Sequence, residues 1–152
     1  MHTWFECKYR YEKTMENGMN KKVTEPYLVD ALSFTEAEAR IIEEMTPFIS
    51  GEFTVSDIKR ANYSELFPCE EDAADRWFKC KLVFITLDEK SGAEKKTSTQ
   101  VLVQAADLRD AVKKLDEGMK GTMADYQIAS VAETAIMDVY PYSAEPNDKP
   151  EV

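Results

Sequence analysis

Phe5, Cys7, Tyr9 and Tyr11 alternate along the chain with Trp4, Glu6, Lys8 and Arg10, and Phe78, Cys80, Leu82 and Phe84 repeat the alternation further on. A period of two marks a strand with one buried face. Asn17-Gly18 and Ser91-Gly92 follow, and these residues tolerate positive φ, so each strand is predicted to turn back as a hairpin with return strands over 22–31 and 96–105. Ser33 with Glu36 has the spacing of a capping box, and Asp107 with Asp110 is a looser counterpart. Beyond each cap, apolar residues fall at i, i+3, i+7 and i+11: Phe34, Ala37, Ile41 and Met45, then Leu108, Ala111, Leu115 and Met119. That stripe predicts two amphipathic helices, stopped by Gly51 and by the pair Gly118 and Gly121. Third strands are expected over 52–60 and 125–139, the second interrupted by a bulge.

The two halves match residue by residue. Trp4-Phe5-Glu6-Cys7-Lys8 recurs 73 residues later as Trp77-Phe78-Lys79-Cys80-Lys81, with four of five positions identical. After one extra residue in the second turn, Tyr27-Leu28-Val29 meets Val101-Leu102-Val103; the offset then returns to 73, where Leu66-Phe67-Pro68 meets Val139-Tyr140-Pro141. The pattern predicts an internal duplication of a β-β-α-β unit: an α+β fold with six main strands and two helices about a pseudo-twofold axis. A unit of this length with one helix has a marginal core, so residues 1–142 are expected to form a single globular domain of two repeats, about 3–68 and 76–141. Residues 62–75 bridge the repeats, and the charged, proline-bearing stretch 143–152 is expected to be a disordered acidic tail.

Composition narrows the partners. With 29 acidic against 19 basic side chains in 152 residues, the formal charge of −10 opposes non-specific binding to nucleic acid or anionic membranes. No apolar run reaches the roughly 18 residues of a membrane span, and the start lacks a basic stretch followed by an apolar block, so a cytoplasmic location is expected. Three cysteines without close spacing imply neither a disulfide framework nor a zinc knuckle.

The stretches Trp4-Phe5-Glu6-Cys7-Lys8-Tyr9-Arg10-Tyr11-Glu12-Lys13 and Tyr27-Leu28-Val29-Asp30-Ala31-Leu32-Ser33-Phe34-Thr35-Glu36-Ala37-Glu38-Ala39-Arg40 resemble a family of short, uncharacterised proteins found mainly in Bacteroidetes and their phages, grouped as a domain of unknown function. The resemblance covers about residues 3 to 142. It implies no catalytic residue, cofactor or partner. In topology the duplicated hairpin, helix and strand also resemble the ribosomal protein called L-eighteen-a in eukaryotes, but those proteins are basic, so ribosome or RNA binding does not carry over to this acidic chain.

Candidate chemistry is sparse. The single histidine, His2, lies next to the terminus and offers no basis for a triad or metal site, and the chain has no Walker loop or dinucleotide fingerprint. Gly118-Met119-Lys120-Gly121 matches a KH clamp in letters, but it ends a helix before a strand. Cys7 and Cys80 hold equivalent places and could meet as a redox or metal pair, yet each shares a face with large apolar residues and reads as core. Cys69, beside Glu70, Glu71 and Asp72, lies in an anionic loop that disfavours thiolate and could at most attract a weakly held cation. Lys21-Lys22 and Lys95-Lys96 read as guards against edge-to-edge strand pairing.

One surface stands out. If the helices cover the face of Phe5 and Phe78, the opposite face carries Trp4, Lys8 and Arg10 in one copy and Trp77, Lys79 and Lys81 in the other. Basic groups beside aromatic rings suit an anionic or planar ligand, so these six are the expected ligand-binding residues. The leading expectation is a non-enzymatic binding or accessory module that recognises a protein or a small anionic ligand, without cofactor or metal. The alternatives are a nucleic-acid-associated factor using the aromatic and basic sheet face, and an enzyme working with carboxylate and lysine groups.

Overall fold

Each hairpin forms where the alternation and the turn residues place it. The computed structural model describes residues 3–49 and 51–141. In chain order they make β1 (Trp4–Thr14), β2 (Asn20–Asp30), α1 (Phe34–Met45), β3 (Phe53–Ala61), β4 (Glu65–Phe67), β5 (Arg76–Leu87), β6 (Glu94–Ala105), α2 (Leu108–Gly118), β7 (Asp125–Glu133) and β8 (Asp138–Tyr140). Gly18 and Gly92 turn the hairpins at φ +84° and +72°. The result is an α+β fold with two helices and eight strands in two sheets of four, ordered β3-β1-β2-β8 and β4-β6-β5-β7.

Both helices start at a reciprocal cap in which the acidic residue reaches back one residue beyond the N-cap. Ser33 Oγ accepts from the Glu36 amide at 3.1 Å while the Glu36 carboxylate accepts from the Leu32 amide at 2.5 Å. Asp107 and Asp110 do the same, at 2.8 Å from the Asp110 amide and 3.0 Å from the Ala106 amide. The looser counterpart is therefore as complete as the first, because an aspartate reaches the amide that a glutamate or serine would.

The chain divides into two compact units, residues 1–62 with 136–152, and residues 63–135. In the first, α1 lays Ala37, Ile41 and Met45 on the sheet face of Phe5, Cys7, Tyr9, Tyr27 and Val29. In the second, α2 lays Ala111 and Leu115 on the face of Phe78, Cys80, Leu82, Val101 and Val103. Phe34 and Leu108, placed on the buried stripe by the spacing, are each 51% exposed. Phe34 still meets the Phe5 ring edge-on, with centroids 4.9 Å apart.

One expectation about strands needs correction. Among the described residues, two three-residue strands join the six long ones, making eight, and the segment expected as one strand over 125–139 is two. Thr134 ends β7 by donating both its amide and its hydroxyl to the Trp77 carbonyl at 2.9 Å. The chain then re-enters pairing when the Met137 amide donates to the Pro26 carbonyl at 2.9 Å, and β8 runs parallel to β2 in the first unit's sheet. β4 likewise runs parallel to β6 in the second unit's sheet, although it follows β3 in sequence. Each sheet takes its fourth strand from the far side of the chain, so the compact units cut across the contiguous stretches 3–68 and 76–141. The bulge expected in one third strand is present in both: Ser56 is the extra residue opposite Lys8 and Tyr9, and Ala129 the extra residue opposite Lys81 and Leu82. His2 and the expected tail over 143–152 lie outside the described residues.

Candidate functional site

The outer face of the first sheet, the one turned away from α1, changes character along its length. Trp4 is 5% exposed, Glu6 and Lys8 are half-buried, and Arg10 and Glu12 are exposed. Leu28 and Asp30, on the same face of β2, are buried. The six expected ligand-binding residues divide between the units, Trp4, Lys8 and Arg10 in one and Trp77, Lys79 and Lys81 in the other. In the second unit Trp77 is 4% exposed and Leu102 fully buried, while Lys79 and Lys81 are exposed. Both tryptophan rings are thus buried. The alternation places both indoles on the outer faces, but each joins a buried leucine there, and what is open on these faces is the stretch that carries the cations.

That open stretch of the first unit forms a groove of about 870 Å³, lined by Arg10, Tyr11, Glu12, Thr14, Asn20, Lys22, Glu52, Phe53, Thr54 and Ser56 among others. Strand register sets its charge pattern. On the outer face Glu6 stands opposite Lys59, Lys8 opposite Asp57, and Glu12 opposite Lys22. Arg10 is different: its partners are Thr24 on β2 and Thr54 on β3. Among the described residues its guanidinium makes no hydrogen bond or ion pair. On the outer face of β1, Arg10 is therefore the cation that no opposed carboxylate balances, with hydroxyls on both sides. A planar fork of N–H donors beside hydroxyl groups matches a carboxylate or phosphate oxygen pair. At the position 73 residues on, the second sheet has Val83 between Ser98 and Gln127. Its nearest counterpart in chemistry is Lys81, between Gln100 and Ser130.

The other candidates fall into structural roles. All three thiols are free, and Cys7 and Cys80 are buried, one in each unit's core. Burial, reinforced by Glu6 and Glu38, pushes the Cys7 thiol up to about 12, and burial alone pushes Cys80 to about 11. Neither is a nucleophile at neutral pH. The loop around Cys69 is not a free anionic segment: the Lys114 ammonium reaches Glu71 at 3.1 Å and Asp110 at 2.7 Å, and the Cys69 amide donates to the Gln104 side chain at 2.9 Å. The hydrogen bond from Lys114 holds the Asp110 carboxyl below its usual range. Arg40, 74 residues before Lys114, donates to the carbonyls of Asp30 and Pro141. Each helix thus carries a cation that fastens the segment after its sheet's parallel strand, a role single-residue patterns do not announce. The equal spacing of Arg40 and Lys114 within the two helices was the available signal.

On the helix side of the first sheet, Glu25 accepts from Tyr27 at 2.9 Å and Tyr11 at 3.2 Å. Burial, then the bond to Glu25, raises the Tyr27 phenol. Among the described residues no group of three His, Cys, Asp or Glu side chains is arranged to hold a metal ion, and no helix is long and apolar enough to cross a membrane.

The protein is thus a mixed α+β protein of sheet-and-helix units. The family described as "Domain of unknown function (DUF4494)" matches residues 3–142, and the chain belongs to that family. No curated protein matches it.

Proposed function

We propose that this chain is a non-enzymatic binding module that takes a small anionic ligand in the groove of the first sheet, with Arg10 as its anchor. The observation that carries the reading is the position of Arg10, an unbalanced guanidinium flanked by Thr24 and Thr54 in an open groove of about 870 Å³. Lys22 and Ser56 line the same groove and add donors to it, beside the carboxylates Glu12 and Glu52. The nucleic-acid alternative loses support from the burial of both indoles, which withholds the rings that base stacking requires.

The same reading takes the chain as a tandem duplication. Supporting it are the element order β-β-α-β-β met twice, the cap pairs Ser33/Glu36 and Asp107/Asp110 spaced by 74, and the bulged residues Ser56 and Ala129 spaced by 73. Replacement of Arg10 by Val83 in the second copy then marks the groove as a feature one copy acquired or kept alone. The module is proposed to work in the cytoplasm without a cofactor.

Calorimetric titration with inorganic phosphate and with glutarate tests the function. At least one should bind, binding should weaken as salt rises, and Arg10→Gln should reduce affinity by about 1.5 to 3 kcal/mol, the scale of a hydrogen bond to a charged group. Equal binding by the wild type and Arg10→Gln would refute the assignment.

A further inference from the structure

The groove has an open wall. β3 is the edge strand of the first sheet, paired with β1 on one side. Its second half carries the devices that keep an edge from pairing with another strand: the bulge at Ser56 and the charges Asp57, Lys59 and Arg60. Its first half, Phe53-Thr54-Val55, has no charge, no proline and no glycine. This unguarded half is also the part that lines the groove, through Phe53 and Thr54. On the outer side lies Arg10, opposite Thr54; on the helix side lies Phe53, 39% exposed and stacked on Tyr9 at 5.0 Å. A strand added here would meet the side of Arg10 on one face and the Phe53 ring on the other.

We infer that the Phe53–Val55 edge accepts an extended acidic peptide as an additional strand, its glutamate or aspartate side chains directed to Arg10 and its alternate apolar side chains to Phe53. The inference rests on the anion-binding reading of the groove and names the partner that presents the anion. Backbone hydrogen bonds to the free edge supply affinity, and the period of two supplies specificity, since acidic and apolar positions must alternate to match the two faces. Charge places the acidic position of the peptide: on the outer face of β1, Arg10 is the charge without an opposed partner, so an acidic side chain fits opposite Thr54, while Glu12 and Glu52 line the same groove.

The test uses the whole chain and a fluorescein-labelled peptide of alternating valine and glutamate, read by polarisation, with glutarate as the small anion in a parallel calorimetric titration. The peptide is expected to bind roughly tenfold or more tightly than glutarate, and N-methylation of its alternate edge-facing amides should remove that gain. Amide protons of Thr54 or Val55 should gain protection from exchange when the peptide is bound. Arg10→Gln should weaken both probes, with circular dichroism confirming that the variant stays folded. Glutarate binding that depends on Arg10, with a peptide no tighter than glutarate or indifferent to N-methylation, would overturn the strand addition and leave the groove reading standing. Failure of both probes would overturn both.

Discussion

Cys7 and Cys80 lie on the helix side of their sheets with no exposed surface, while Cys69 is half-exposed in the segment after β4. A thiol reagent should therefore label one site per folded chain quickly, at Cys69, and the other two only at the rate of unfolding; two or three fast sites would contradict this packing. The same burial sets an alkaline limit. The folded Cys7 and Cys80 thiols titrate near 12 and 11 against an ordinary 9.0, so the folded state holds their protons more tightly than the unfolded chain. Their contribution is complete below about pH 9 and is lost as pH rises toward the folded values, and the raised Tyr27 phenol acts in the same direction. Melting temperature should fall steadily from about pH 9 upward; a flat profile to about pH 11 would show that these groups are not buried. Face assignment at single residues was legible: the period of two put Phe5, Cys7 and Tyr9 on one side and Trp4, Lys8 and Arg10 on the other. What covers a face was not. Trp4 and Arg10 share a side, yet one is buried and the other exposed, because alternation reports direction and carries nothing about what lies beyond.

The helices and the long strands follow from local pattern, and the short strands do not. β4 and β8 have three residues each, too few for a period, and they pair in parallel with strands distant in sequence. Their aromatic residues lock them in place. Phe67 lies so close to the last residue of α2 that a Cβ on Gly118 would sit 2.9 Å from two of its ring carbons. Alanine normally favours a helix over glycine by about 0.5 to 1 kcal/mol, but here the ring must move, and overpacking costs about 1 to 3 kcal/mol. Gly118→Ala should therefore lower stability by about 1 to 2 kcal/mol in urea denaturation, and the same change added to Phe67→Ala should be neutral or stabilising. A stabilising Gly118→Ala in the wild-type background would mean that Phe67 does not pack there. Leu66-Phe67-Pro68 and Val139-Tyr140-Pro141 were visible as matching segments, so their equivalence was legible while their exchange between sheets was not.

At the scale of the whole molecule, that exchange ties the two units together through connectivity. A chain cut between residues 72 and 73 leaves the first sheet without β8 and the second without β4. Each half then lacks an aromatic side chain that packs on its core, Tyr140 in one and Phe67 in the other. Losing such a residue costs about 3 to 5 kcal/mol, comparable with all that a unit of this size can muster. Neither half, 1–72 nor 73–152, should melt cooperatively alone, and an equimolar mixture should recover the native circular dichroism. A cooperative transition in either isolated half would contradict the exchange.

Charge acts at the same scale. A net −10 repels anions at long range, so a site for one must concentrate cations locally and must weaken with salt through its own few contacts. The unopposed Arg10 on an otherwise charge-paired face is such a place. The most direct measurement is an amide chemical-shift titration of the isotope-labelled chain with inorganic phosphate and glutarate. The account predicts shifts for at least one of them centred on Arg10, Lys22, Thr24, Thr54 and Ser56, saturating together and absent in Arg10→Gln. Shifts centred on other residues, or the same shifts persisting in Arg10→Gln, would contradict it.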